Sequence, residues 1–371
     1  DGRSSIGPVV REFLASEAMA ALGIPTTRSL AALSTGQTVQ RDMLEPGGIL
    51  VRVAQSHIRI GTFEYLARQG DVASTQALLE FCVEHYCPLL PRRASLALDW
   101  FEWLVERTAK LISAWMQVGF IHGVMNTDNC SIVGDTIDYG PFGFLDAFIP
   151  DQVYSSIDQA GRYAYNQQPA VATWNLARLA ECLLPLINDC PDKAQAAAQE
   201  VLQQFPNLFN AAFESGITRK VGLNPNEPAH VKVAMDYLDL LASNEADMTL
   251  AFRRLGAVSI QPGTADESVK ALFDDPQTFD AWVQAWRFHL TQLNQTEHER
   301  QDSMNQINPA FILRNHLAEQ ATQAAIDSMD FEPMKKLHAL LQTPFDDQPH
   351  ETSWAGPPMP EEQVLTTFCG T

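Results

Sequence analysis

Residues 122–144 read HGVMNTDNCSIVGDTIDYGPFGF, and the order of polar residues in this stretch decides how the chain is read. His122 and Asn129 stand seven residues apart, and Ile137-Asp138-Tyr139-Gly140 follows as an acidic turn ending in glycine. A His, an Asn seven later and then Asp-x-Gly is the spacing of a phosphoryl-transfer loop, in which the Asn and the Asp hold Mg²⁺. Such a loop normally places an Asp two residues after the His, where it takes the acceptor hydroxyl's proton. Here Val124 stands at that position. The stretch therefore predicts a metal site without its usual base.

The surroundings fit a loop carried on a helical base. Phe101, Leu104, Val105, Thr108, Leu111, Ile112 and Trp115 follow the spacing of a buried helix face that ends at Gly119. Residues 130–149 have the Gly, Pro and β-branched content of short strands and turns, which predicts Asp128, Asn129 and Asp138 on loops beside a small hairpin. Residues 8–22 predict a first helix stopped by Gly23 and Pro25, and residues 26–33 and 47–54 a pair of strands. Leu176, Leu179, Ala180, Leu183, Leu184 and Ile187 form another helical stripe. Helical patterns then alternate with turn clusters to about residue 340, and residues 343–363 form a proline-rich polar segment expected to wrap the surface or be mobile.

Composition narrows the function. Of 371 residues 46% are hydrophobic, enough for a substantial core, and no apolar run approaching the ~18 residues of a membrane span stands out. A soluble chain without a membrane partner is expected. Forty-five acidic residues against 25 basic ones give a charge of -20, which repels phosphate backbones and argues against nucleic acid. A nucleotide must then be held by a local cluster of Arg, metal and backbone N–H groups. The six cysteines form no C-x-x-C, so a reducing compartment is expected. The opening DGRSSIGPVV carries neither a signal peptide nor an initiating Met, so the sequence reads as one whose beginning is missing.

GIPTTRSL, VRVAQSHIRIGTFEYL, GFIHGVMNTDNCSIVGDTIDYGPFGFLD, WNLARLAE and NPAFILRNHLAEQA together resemble the selenoprotein O family of pseudokinase-fold protein adenylyltransferases, from about residue 11 to the C-terminus. The resemblance implies a predominantly helical α+β, protein-kinase-like fold. It implies a truncated N-terminal lobe at 1–56, a helical lobe with the catalytic and metal loops at 57–290, and a helical extension and tail at 291–371. It implies transfer of AMP from ATP to Ser, Thr or Tyr hydroxyls of proteins, with ATP reversed relative to kinases and Mg²⁺ or Mn²⁺ as cofactor. Arg52 and Arg59 map onto the family's phosphate-contacting arginines, Asn129 and Asp138 onto its metal ligands, Asp128 onto its proposed general base, and Glu12 onto the Glu that pairs with the nucleotide-binding Lys. The cytoplasm is the expected location, or mitochondria in a eukaryote.

Each residue also has a plainer reading. Asp128 and Asn129 suit an Asx turn, Arg52 and Arg59 surface ion pairs, and Glu12 a solvated helix position. His122, Tyr139, Phe142, Phe144 and the aromatic stripe at residues 100–116 read as packing, and His57 as a partly buried, satisfied imidazole. Three departures from the family stand out. The Gly-rich segment and the Lys lie upstream of a G-D-G-R motif, whereas this chain begins at Asp1-Gly2-Arg3. Gly7 replaces a family Arg, which puts the start of the first helix in question. Cys369 matches a terminal redox Cys, but its partner position in the activation segment is Tyr154, so a regulatory disulfide is not expected. The alternative function is an inactive nucleotide-binding pseudokinase or scaffold.

Overall fold

The computed structural model describes residues 2–41 and 43–368. Its first part runs β1 (Ser4–Ser5), α1 (Ile6–Ala21), β2 (Arg28–Gln40), β3 (Leu44–Val53), α2 (Ile60–Arg68), α3 (Val72–Tyr86), α4 (Leu96–Gln117), β4 (Phe120–Ile121), β5 (Gly143–Phe144) and α5 (Gln168–Ile187). Then come α6 (Pro191–Leu202), α7 (Phe205–Lys220), α8 (Pro228–Ser243), α9 (Met248–Leu255), α10 (Thr264–Lys270), α11 (Pro276–Leu290), α12 (Glu297–Asn305), α13 (Asn315–Ser328) and α14 (Glu332–Leu341). This is an α+β chain in which helix predominates.

Helix α1 begins at Ile6, so Gly7 does not delay it. A Cβ on Gly7 would come within 3.1 Å of Ile326 Cδ1, and glycine lets α13 lie close against α1. Val9, Val10, Leu14, Ala18 and Met19 face the core. The helix ends where sequence predicts, because Gly23 takes a φ of +78° and Ile24 N–H donates to Met19 O at 3.0 Å. Strands β2 and β3 pair antiparallel, with Ser29 opposite Arg52, and β1 adds to the far edge of β3. Both strands outrun their expected lengths; in β2 the added STGQTVQ is exposed except for Val39 and lacks the alternation that marks a half-buried strand.

Helix α4 is the central beam. Ser95 Oγ caps it by accepting from Leu98 N–H at 3.2 Å, and it ends at Gly119 with a φ of +73°. Trp100, Phe101 and Leu104 are fully buried, and α5, α6 and α7 pack around it. Burial of each such side chain contributes about 1.5–3 kcal/mol. One expectation is corrected at α5: the 23 residues from Tyr165 to Ile187, with a mean hydropathy of 1.3 over their best window, are long and apolar enough to cross a membrane by length and composition. Half of that window is buried in the fold, with Leu176, Leu179 and Leu183 against the core.

The C-terminal helices reach back to the quoted loop. Arg314 is wholly buried and pairs with Asp146 at 2.6 Å and Asp247 at 2.7 Å, while its second terminal nitrogen donates to Ala355 O at 2.9 Å. Asn315 accepts from Phe144 N–H at 2.9 Å and donates to Phe144 O at 2.8 Å, so its amide stands in for a strand partner on the open edge of β5. The proline-rich segment wraps the surface, in short 3-10 turns at Thr352–Trp354 and Pro360–Glu362. Cys82, Cys87, Cys130, Cys182 and Cys190 are free thiols, and Cys369 lies outside the described residues.

Candidate active site

The two strands that frame the quoted loop are β4 and β5, antiparallel with Phe120 opposite Phe144. His122 is buried, and its Nε2 lies 2.8 Å from Ile137 O, which fastens the start of the loop to the residue before Asp138. Burial lowers its pKa against the opposing pull of that carbonyl and the Asp138 charge. Tyr139, Phe142 and Phe144 pack around Phe120, in agreement with the packing role read from sequence.

The loop itself is wound tightly. Thr127–Asn129 is a single 3-10 turn, and Asn129 Nδ2 donates to Val124 O at 3.0 Å, which leaves the side-chain carbonyl Oδ1 for other work. Asp138 adopts a φ of +62°, a conformation an L-residue enters at a cost and one that Asp tolerates better than most. Gly140 N–H donates to Asp138 O at 2.9 Å and closes the turn.

Arg52 on β3 and Arg59 at the N-cap of α2 both reach Asp138. Arg59 Nε lies 2.9 Å from Oδ2 and its Nη2 2.9 Å from Oδ1 and 2.7 Å from Oδ2, while Arg52 Nη1 lies 2.8 Å from Oδ1. Arg52 Nη2 also pairs with Glu12 on α1. The arginines are thus ion-paired, but inside a cleft of about 1080 Å³ rather than on an open surface. Glu12, Arg52, Arg59, Asp128, Asn129 and Asp138 all line that cleft. Burial opposes the charge on Arg52, but Glu12 and Asp138 outweigh it and hold its pKa above the usual value.

Asp128 is exposed to the cleft and lies against the first turn of α2. A Cβ on Gly61 would fall 2.0 Å from Asp128 Oδ1, so the absence of a side chain there makes room for the carboxylate.

Glu12 is no solvated helix residue. Burial outweighs the attraction of Arg52 and raises its pKa above the ordinary glutamate value. A carboxyl whose pKa rises on folding contributes stability below its unfolded pKa and loses it as pH climbs through the folded one, so its charge works against the fold at neutral pH. Glu12→Gln is expected to melt about 1–3 °C higher than the parent at pH 7. The gap should close as pH falls toward 4.5, the unperturbed glutamate value; an unchanged gap in a melting series would contradict this account.

His57 departs from expectation. Its side chain is exposed, and the contact it makes through its backbone is acceptance of a hydrogen bond from Arg59 Nη1 at 2.9 Å.

Two residues on α5 escaped the sequence reading. Gln168 accepts from His122 N–H at 3.1 Å and donates to Phe120 O at 2.9 Å. Asn175 donates to Met125 O at 2.9 Å and to Cys130 Sγ at 3.0 Å. Together they brace both sides of the loop. The available signal was Asn175 itself, a polar residue four before Leu179 and therefore on the buried stripe.

The family described as "Protein adenylyltransferase SelO" matches residues 1–342. A "Protein nucleotidyltransferase YdiU" of Rhodopseudomonas palustris is 50% identical over 371 residues, covering 100% of this chain and 75% of that protein. Proteins of the same name from Bradyrhizobium sp. and Nitrobacter winogradskyi are each 49% identical over all of this chain, which covers 75% and 73% of them. The chain belongs to this family of protein adenylyltransferases, which are nucleotidyltransferase enzymes.

Proposed function

We propose that the cleft transfers AMP from ATP to Ser, Thr or Tyr hydroxyls of proteins. We place it within a kinase-like arrangement of an N-terminal lobe at 1–56, a helical lobe at 57–290 and an extension at 291–371. One observation carries the reading: Arg52, Arg59, Asp128, Asn129 and Asp138 converge on a single cleft, which Val124 also lines in place of the usual base.

The acceptor oxygen attacks the α-phosphorus and forms the new P–O bond. The bond from that phosphorus to the bridging oxygen breaks, and pyrophosphate leaves with the electron pair. Asp128 takes the hydroxyl proton, a role supported by its exposure to the cleft. Arg52 and Arg59 supply positive charge for the β- and γ-phosphates, where charge accumulates as pyrophosphate departs.

The donor set suits Mg²⁺ or Mn²⁺. Asn129 Oδ1 and the Asp138 carboxylate are hard oxygens, and among the described residues no three His, Cys, Asp or Glu side chains converge to hold a metal by themselves. Phosphate oxygens would complete the coordination, as is usual for Mg²⁺ at nucleotide sites. When bound, the ion offsets phosphate charge.

The test incubates the chain with Mg²⁺ and either α-³²P-ATP or γ-³²P-ATP beside an Asp138→Ala control. Label from the α-position alone, lost in the control, is the expected result; label from the γ-position would mean ordinary phosphotransfer. The second reading is a nucleotide-binding scaffold, for which the same cleft with its Arg52 and Arg59 cations would suffice. In that case Asp138→Ala would leave the cellular effect intact.

Gly61→Ala probes the base separately. The added methyl collides with Asp128 Oδ1, while Ala suits a helix better than Gly by about 1 kcal/mol. A loss of kcat of about a hundredfold is expected, with ATP affinity and melting temperature retained. Unchanged kcat in both Gly61→Ala and Asp128→Asn would remove Asp128 from the mechanism.

A further inference from the structure

The C-terminal segment Gln363–Phe368 lies along the cleft, and all six of its residues line it. It is held at one isolated β-bridge. Thr367 pairs in parallel with Ser155, its N–H donating to Tyr154 O at 2.7 Å and its carbonyl accepting from Ser156 N–H at 3.0 Å. The Thr367 hydroxyl donates to Pro141 O at 2.8 Å, three residues beyond Asp138. Thr367 is buried, but Leu365 and Phe368 on either side are 67% and 69% exposed. The segment is therefore gripped by its main chain and one hydroxyl, with little apolar anchorage.

That grip has the properties an acceptor site needs. Main-chain pairing along a strand edge tolerates many sequences, and side-chain alternation fixes the register. The seat lies beside the metal loop, admits a hydroxyl-bearing residue at its buried position, and has the exposed side chain of Ile157 in the same cleft for an incoming apolar contact.

We propose that the edge at residues 154–156 is the seat of the acceptor polypeptide, bound as an extended strand, and that Gln363–Phe368 fills it in cis until an acceptor displaces it. The substrate class that follows is a flexible Ser- or Thr-bearing segment, a terminus or open loop, rather than a residue on a rigid surface. The catalytic part of this inference rests on the adenylyl-transfer reading; the occupancy of the seat does not.

A tethered segment competes at an effective concentration on the order of millimolar, so its removal should lower the acceptor KM roughly tenfold or more. The experiment compares the full chain with one ending at Glu362, and with Thr367→Pro in the full chain, which removes the N–H to Tyr154. Carboxymethylated casein serves as an unfolded acceptor with α-³²P-ATP. Both variants are expected to show the lower casein KM with an unchanged KM for ATP. Independently of transfer, a fluorescein-labelled QVLTTF peptide should bind the shortened chain, by polarisation, at least tenfold tighter than the full chain, and casein should displace it. Equal peptide binding to both chains, or a fall in kcat and melting temperature with casein KM unchanged, would overturn the proposal. Peptide binding as expected without α-label in any variant would keep the seat and sink the adenylyl-transfer reading.

Discussion

Asp138→Asn is expected to reduce AMP transfer by at least about a thousandfold while the chain stays folded. Asp138 is where the cleft's charges meet, since Arg52 and the Nε–Nη2 edge of the Arg59 guanidinium end on its two oxygens. Its left-handed backbone, at a φ of +62°, aims that carboxylate into the cleft. Asparagine tolerates this conformation nearly as well, so the substitution removes the charge and keeps the turn. Alanine would add backbone strain of roughly 1 kcal/mol, and comparing the two variants separates lost charge from a loosened loop. The measurement is the initial rate of α-label transfer beside a thermal melt. Substantial transfer by Asp138→Asn with a normal melt would take Asp138 out of the metal site.

Arg59→Met should lower transfer by about a hundredfold to a thousandfold, the usual cost of removing one donor from developing charge. A second expected effect has the opposite sign. Arg59 and Asp138 neutralise one another through contacts of 2.7–2.9 Å, and on the proposed reading the first serves phosphate and the second metal. On that reading neither ligand is taken up without freeing the other's partner, and metal and nucleotide binding are expected to reinforce each other. Methionine at residue 59 keeps the bulk and frees one side of Asp138. Mn²⁺ affinity without nucleotide, read by titration calorimetry, should rise severalfold, roughly threefold to tenfold for a pair about one-quarter exposed. A fall in that affinity would show that Arg59 helps to build the metal site instead of masking it.

How much of this was legible depended on how far apart the partners lie. Asn129 and Asp138 share one stretch, so their spacing alone suggested a metal loop, and the α4 stripe and Gly119 stop were equally local. Arg59 and Asp138 are separated by 79 residues, and only the resemblance linked them. Read from residues alone, Arg59 was a surface cation. Gln168 and Asn175 were invisible as braces because a helical pattern says which face is buried but not which backbone group waits there. The place of Gln363–Phe368 was hidden for a related reason: its bridge to Ser155 runs through the main chain, and its one side-chain bond, from Thr367 to Pro141 O, spans 226 residues. His57 was misjudged since burial of a lone imidazole depends on the path of the chain around it.

The Asn315 amide on Phe144 and the Arg314 pairs to Asp146 and Asp247 bear on how the molecule comes apart. Two of these anchors join α13 to Phe144 and Asp146 at the end of the quoted loop, and the third joins it to Asp247 at the start of α9. If α13 peels away, β5 is left with an unmatched backbone edge and two carboxylates lose a shared counter-ion, so an intermediate with an intact cleft and loose C-terminal helices is costly. The two regions should gain and lose amide-exchange protection together, as one cooperative unit. The helices farthest along the chain thereby set how long the loop at residues 122–144 keeps its shape.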